Sequence, residues 1–117
     1  MKVYGIKNCN TVKAAVAWLK RHKIDFDFHD YKTKGITEAQ LKSWSKQVGW
    51  QNLVNKKGTT WRQLDEHVQK KITNEKNAIE LMLEKTSVIK RPLIEQGGKV
   101  VALGFEEDVY GALMERR

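Results

Sequence analysis

Apolar residues recur along this chain with two different periods, and the switches between them mark its elements. Val3, Tyr4 and Ile6 crowd Lys2–Ile6 at strand density, and the polar Lys7-Asn8-Cys9-Asn10-Thr11 that follows ends the run in a turn. Val12, Ala15, Val16 and Leu19 then fall at i, i+3, i+4 and i+7, one helix face, which ends near Lys20-Arg21-His22-Lys23. Asp25 to Asp30 alternates polar and apolar with period two, as a half-buried strand does. The helix between the strands is long enough for a parallel crossover, so the chain opens with a β-α-β unit.

After Gly35 the helical period returns. Thr37 and Gln40 have capping-box spacing, and Leu41, Trp44 and Val48 predict a helix stopped by Gly49. Thr60 and Gln63 repeat that spacing before a short helix carrying Trp61 and Leu64. Ala78, Ile79, Met82 and Leu83 predict a third helix from about Thr73 to Lys85. Residues from about 37 to 86 are thus a helical segment. Beyond it, Leu93–Gln96 and Lys99–Leu103 flank Gly97-Gly98, a pair suited to a two-residue hairpin turn. Phe105, Val109, Ala112 and Leu113 place an apolar stripe on a closing helix. The order β-α-β, helical insertion, β-β-α predicts an α/β fold of thioredoxin-like type, with a four-stranded mixed sheet and helices against it.

A length of 117 residues fits one domain, 1–117, with the helical insertion inside it. The start, Met1–Lys7, is too short an apolar stretch for a signal peptide, and no later run approaches a membrane span, so a cytoplasmic protein is expected. The net charge of +8 comes from scattered residues such as Lys56, Lys57, Lys70, Lys71, Lys90 and Arg91 rather than from one block. No aromatic motif for reading RNA accompanies it, so direct nucleic-acid binding is not expected. His22, His29 and His67 share no ligand spacing with one another or with Cys9, so no metal site is expected. Trp18, Trp44, Trp50 and Trp61 read as core residues that could also line a pocket.

The chemistry centres on Cys9, the one cysteine in the chain. A helix start stabilises a thiolate through unsatisfied backbone N–H groups and the positive end of the helix dipole. A lone cysteine at a strand end can equally be a small buried residue, but the polar flanks Asn8, Asn10 and Thr11 favour an exposed, working thiol. Val12 stands where the second cysteine of a Cys-x-x-Cys pair would be, so any disulfide must form with another molecule. Arg91 precedes Pro92, the one proline. This pair could be a solvated arginine and a strand-opening proline. The thioredoxin-like order implies instead a cis proline beside the thiol turn, which would bring Arg91 towards Cys9 to hold a thiolate or an oxyanion.

Asn8-Cys9-Asn10-Thr11, Ile89-Lys90-Arg91-Pro92-Leu93 and Gly104-Phe105-Glu106-Glu107 together resemble the ArsC family over essentially the whole chain, most closely its YffB-like branch. The resemblance implies a glutathione-dependent thiol reductase with no bound cofactor, in which Cys9 and Arg91 are catalytic and glutathione is the co-substrate. Lys7, Asn8, Asn10, Thr11 and Pro92 would line the substrate site, with Thr11 also capping the helix. Related branches imply two alternatives: arsenate reduction, or an Spx-like regulator that docks on RNA polymerase. Arsenate reductases support their cysteine with three arginines, whose positions align here with Asn55, Arg91 and Gly104, so only one is kept. The Spx switch uses Cys-x-x-Cys, which Val12 breaks.

Overall fold

A computed structural model describes residues 1–115. Its four strands are β1 (Lys2–Gly5), β2 (Asp27–Asp30), β3 (Leu93–Gln96) and β4 (Lys99–Leu103), in the sheet order β2-β1-β3-β4. The β1–β2 pair is parallel and the other two pairs are antiparallel, which is the mixed, thioredoxin-like sheet expected. The second strand starts at Asp27, later than the alternation from Asp25 suggested, because Ile24 is drawn into the core and Asp27 N–H meets the Met1 carbonyl first. Gly97 and Gly98 take φ of 59° and 80°, the left-handed values that a two-residue hairpin of this twist requires.

Phe28, Val3, Ile94 and Ala102 are register partners across the sheet, so they form one row on one face. Helices α1 (Asn10–Arg21) and α8 (Glu107–Glu115) cover that face. Ala15, Trp18 and Leu19 from α1 meet Tyr110 and Leu113 from α8 there, with the Trp18 and Tyr110 rings edge to face at 5.3 Å. Three stripe predictions shift: Val16 on α1 is only half-buried, and Val109 and Ala112 on α8 are exposed. Trp18 rather than Val16 completes the buried face of α1, and Val109 is 38% exposed because Tyr110 and Leu113, one turn apart, already fill the face of α8. A short helix α2 (Tyr31–Lys34) follows β2.

The chain divides into two compact units, one of residues 1–34 and 91–117 that holds the sheet, the other Gly35–Lys90. The second is helical: α3 (Glu38–Val48), α4 (Trp50–Leu53), α5 (Thr59–Arg62), α6 (Glu66–Lys70) and α7 (Glu75–Glu84). Its core gathers Leu41, Trp44, Leu53, Ala78, Met82 and Ile89, all 0% exposed. Ser45 Oγ donates to Glu75 Oε2 at 2.9 Å, tying α3 to the start of α7.

Thr37 caps α3 as its spacing predicts, its Oγ accepting the Gln40 N–H at 3.2 Å. Thr37→Ala removes that acceptor and should lower stability by about 1 kcal/mol in a denaturant melt. The second predicted box does not form. The Arg62 N–H bonds to the Gly58 carbonyl, so α5 starts at Thr59, Gly58 is its cap, Thr60 lies inside it and Gln63 ends it. In α7 the buried face is Ala78, Ile79, Leu81 and Met82. Leu83, expected inside, is 38% exposed on its outer flank.

Candidate active site

The register of the sheet brings the two predicted catalytic residues together. Tyr4 pairs with Leu93 in the antiparallel β1–β3 ladder, so the segment just before Leu93 lies beside the segment just after Tyr4. The first contains Arg91 and the second leads into Cys9. The Arg91–Pro92 peptide is cis, and the Pro92 carbonyl accepts the Gly104 N–H at 2.7 Å, anchoring this entry to β3.

Cys9 is the N-cap of α1. It has extended dihedrals (φ −101°, ψ 125°), its N–H bonds to the Ile6 carbonyl at 3.2 Å, and its carbonyl accepts the Lys13 N–H at 2.9 Å. The predicted cap, Thr11, is instead inside the first turn, because Cys9 already supplies the first helical carbonyl. The sulfur is half-buried and makes no full cap hydrogen bond. Burial alone would raise its pKa, yet the net direction is down. The Val12 N–H, the hydrogen bond and charge of Arg91, and the Thr11 N–H together outweigh the desolvation. The thiolate is therefore stabilised relative to that of an ordinary cysteine, and the sulfur is only partly buried.

Behind the turn lies an aromatic group that periodicity does not single out. Tyr4 and His29 are register partners with rings 4.9 Å apart, and the Tyr31 ring stacks 6.2 Å from Tyr4. Tyr4 Oη donates to Glu95 Oε1 at 3.3 Å. Tyr31 is 1% exposed, and burial pushes its phenol far above the usual range, while the Arg91 charge works against that rise. Tyr31 is thus a neutral hydroxyl in the field of Arg91. The signal in the sequence was the placement of Tyr4 and His29 at equivalent ladder positions, but only the pairing of distant strands gives it meaning.

Of the residues expected to line the site, Lys7, Asn8, Asn10 and Thr11 are exposed around the turn, and Pro92 is buried. Gly104, aligned with an arginine of the arsenate reductases, is a buried turn residue with φ 86°. Asn55, aligned with another, belongs to the helical unit, where its Oδ1 accepts the Lys57 N–H at 3.2 Å. Among the described residues no group of three His, Cys, Asp or Glu side chains could hold a metal ion.

Gly5 sets the spacing between β1 and the thiol turn. A Cβ there would lie 2.8 Å from Val12 Cγ2, on a stiff, buried β-branched side chain. Gly5→Ala should cost about 1–3 kcal/mol by overpacking. Because it pushes the residue whose N–H faces Cys9, it should also slow alkylation of the thiol, measured beside the melt.

Comparison with known proteins agrees with the fold. The model of the ArsC family matches residues 4–113. The solved structure of a YFFB protein is 49% identical, with a TM-score of 0.88 over 95% of this chain and 96% of its own. An arsenate reductase (ArsC) related protein from Brucella melitensis is 43% identical, with a TM-score of 0.77 over 97% of this chain and 93% of its own. The global transcriptional regulator Spx of Streptococcus pyogenes serotype M3 is 26% identical over 93% of this chain and 81% of its own.

Proposed function

We propose that this chain, which belongs to the ArsC family, is a glutathione-dependent thiol reductase with Cys9 as its nucleophile. The carrying observation is the place of Cys9 at the N-cap of α1, with its thiol hydrogen-bonded to Arg91 and its pKa lowered. The Cys9 thiolate attacks the glutathione sulfur of a mixed disulfide. A Cys9–glutathione disulfide forms, the original S–S bond breaks, and the other thiol leaves as a thiolate that takes a proton from water. A second glutathione thiolate then attacks the glutathione sulfur bound to Cys9, releasing oxidised glutathione and the Cys9 thiolate. The reducing equivalent comes from the incoming glutathione, whose sulfur is oxidised into the new disulfide while the substrate sulfur ends as a thiol; the glutathione of the mixed disulfide is at the disulfide level before and after. Arg91 favours the thiolate and offers a fork to a glutathione carboxylate. Lys7, Asn8, Asn10, Thr11 and Pro92 border the site.

With Val12 in place of a resolving cysteine, the cycle must close through an external thiol, which is why glutathione suits this site better than an internal disulfide. Arsenate would find Arg91 but a glycine and an asparagine in place of the other two aligned arginines, so its reduction should be weak and lost in Arg91→Ala. The similarity to Spx supports a second reading, a module that docks on RNA polymerase. Co-purification with polymerase that survives Cys9→Ser would favour it. The direct test is reduction of a glutathione mixed disulfide by glutathione, coupled to glutathione reductase. Saturable turnover is expected, and a rate equal to that without protein would sink the reductase reading.

A further inference from the structure

Beside the thiol turn, a groove of about 520 Å³ runs between α1 and the edge strand β2. Its floor includes the half-buried Val16, Phe26 and Phe28, and its rim carries the exposed Lys7, Lys13 and Lys20. It begins at Val12, whose N–H faces the Cys9 sulfur, and continues along α1 to Lys20. At 1.5 Å rise per residue, the span from Cys9 to Lys20 is about 16 Å, the length of roughly five extended residues.

Three lysines ring the groove, and none of them makes a salt bridge among the described residues. Among the described residues no carboxylate lines it. Asp27 alternates to the other side of β2, and Asp25 lies beyond its far end, beside Lys20 and Lys23. Glutathione supplies carboxylates but no apolar side chain, so it would leave Val16, Phe26 and Phe28 wet. A groove that is apolar in its floor and cationic at its rim complements an acidic polypeptide segment with aliphatic side chains.

We propose that the groove along α1 binds an acidic, aliphatic segment of a protein substrate and delivers that segment's glutathionylated cysteine to Cys9. The proposal rests on the reductase reading and names the substrate class for that site. Glutathione leaves the substrate in the step already described, and the segment's own thiol is the product.

The test uses two synthetic heptapeptides, each with a central cysteine held as a glutathione disulfide between leucines, one flanked by aspartates and one by lysines. Initial deglutathionylation rates at low salt are divided by each protein's iodoacetamide rate, so that changes in thiol reactivity cancel. The acidic peptide should react about tenfold faster than the basic one, and Lys13→Glu with Lys20→Glu should erase or reverse that preference. Equal rates, or a preference that survives the double substitution, would overturn the proposal. A second arm measures fluorescence anisotropy of fluorescein-labelled peptides with serine in place of the cysteine. Acidic-over-basic binding that the double variant removes supports the groove even if no disulfide turns over, and its absence overturns the groove even if Cys9 is an active reductase.

Discussion

Cys9→Ser is expected to reduce turnover of a glutathione mixed disulfide to the background rate while leaving the melting midpoint unchanged or slightly raised. A serine hydroxyl stays protonated at neutral pH and forms no disulfide, so both half-reactions vanish. The fold loses little, because the Cys9 sulfur makes no full cap hydrogen bond and serine is among the favoured N-cap residues. The assay is the coupled turnover measurement together with a thermal melt of the same sample. Activity retained in the serine protein would remove Cys9 from the mechanism, and a collapsed melt would make it a structural residue.

Arg91→Ala should be the second largest change, slowing Cys9 alkylation at neutral pH and mixed-disulfide turnover about tenfold. A hydrogen bond to a charged group is worth ~1.5–3 kcal/mol when well shielded, and the half-buried positions of both partners point to the lower end. Arg91→Lys should fall between wild type and alanine, keeping the charge but losing the planar fork. The sign of the pH effect follows from the thiol. The folded pKa of Cys9 lies below its unfolded value, so folding gains stability from the thiolate at pH above the ordinary thiol range. That gain is lost as pH falls through the folded pKa. Arg91→Ala should narrow this window by raising the folded pKa, which a series of melts across pH would reveal relative to Cys9→Ser.

The long periodic segments of this chain declare themselves. Val12, Ala15 and Leu19 on one helix face, the alternation around Phe28, and Gly97-Gly98 between two apolar runs led to the observed helix, edge strand and hairpin. The thiol at a strand-to-helix turn was legible for the same reason, since Asn8 and Asn10 interrupt the apolar pattern around Cys9. Helices α2, α4 and α6 have four or five residues each, too few for a helical period to show. At α5 the capping pattern misled by two residues, because Gly58, which lacks a capping side chain, closes the preceding turn and starts the helix. The group around Tyr31 was hidden for a different reason. Tyr4 and Glu95 are 91 positions apart, and only the β1–β3 ladder places them in contact. The lysines of the groove likewise come from the turn and from positions about two turns apart on α1, and acquire meaning only once β2 lies alongside.

The most direct test of a pKa-lowered nucleophile at the start of α1 is the pH dependence of Cys9 alkylation by iodoacetamide, followed by intact-mass analysis after exposure to oxidised glutathione. An inflection below the ordinary cysteine value of about 8.5, with one glutathione added at Cys9, is the predicted result. An inflection at or above that value, with no adduct, would contradict it.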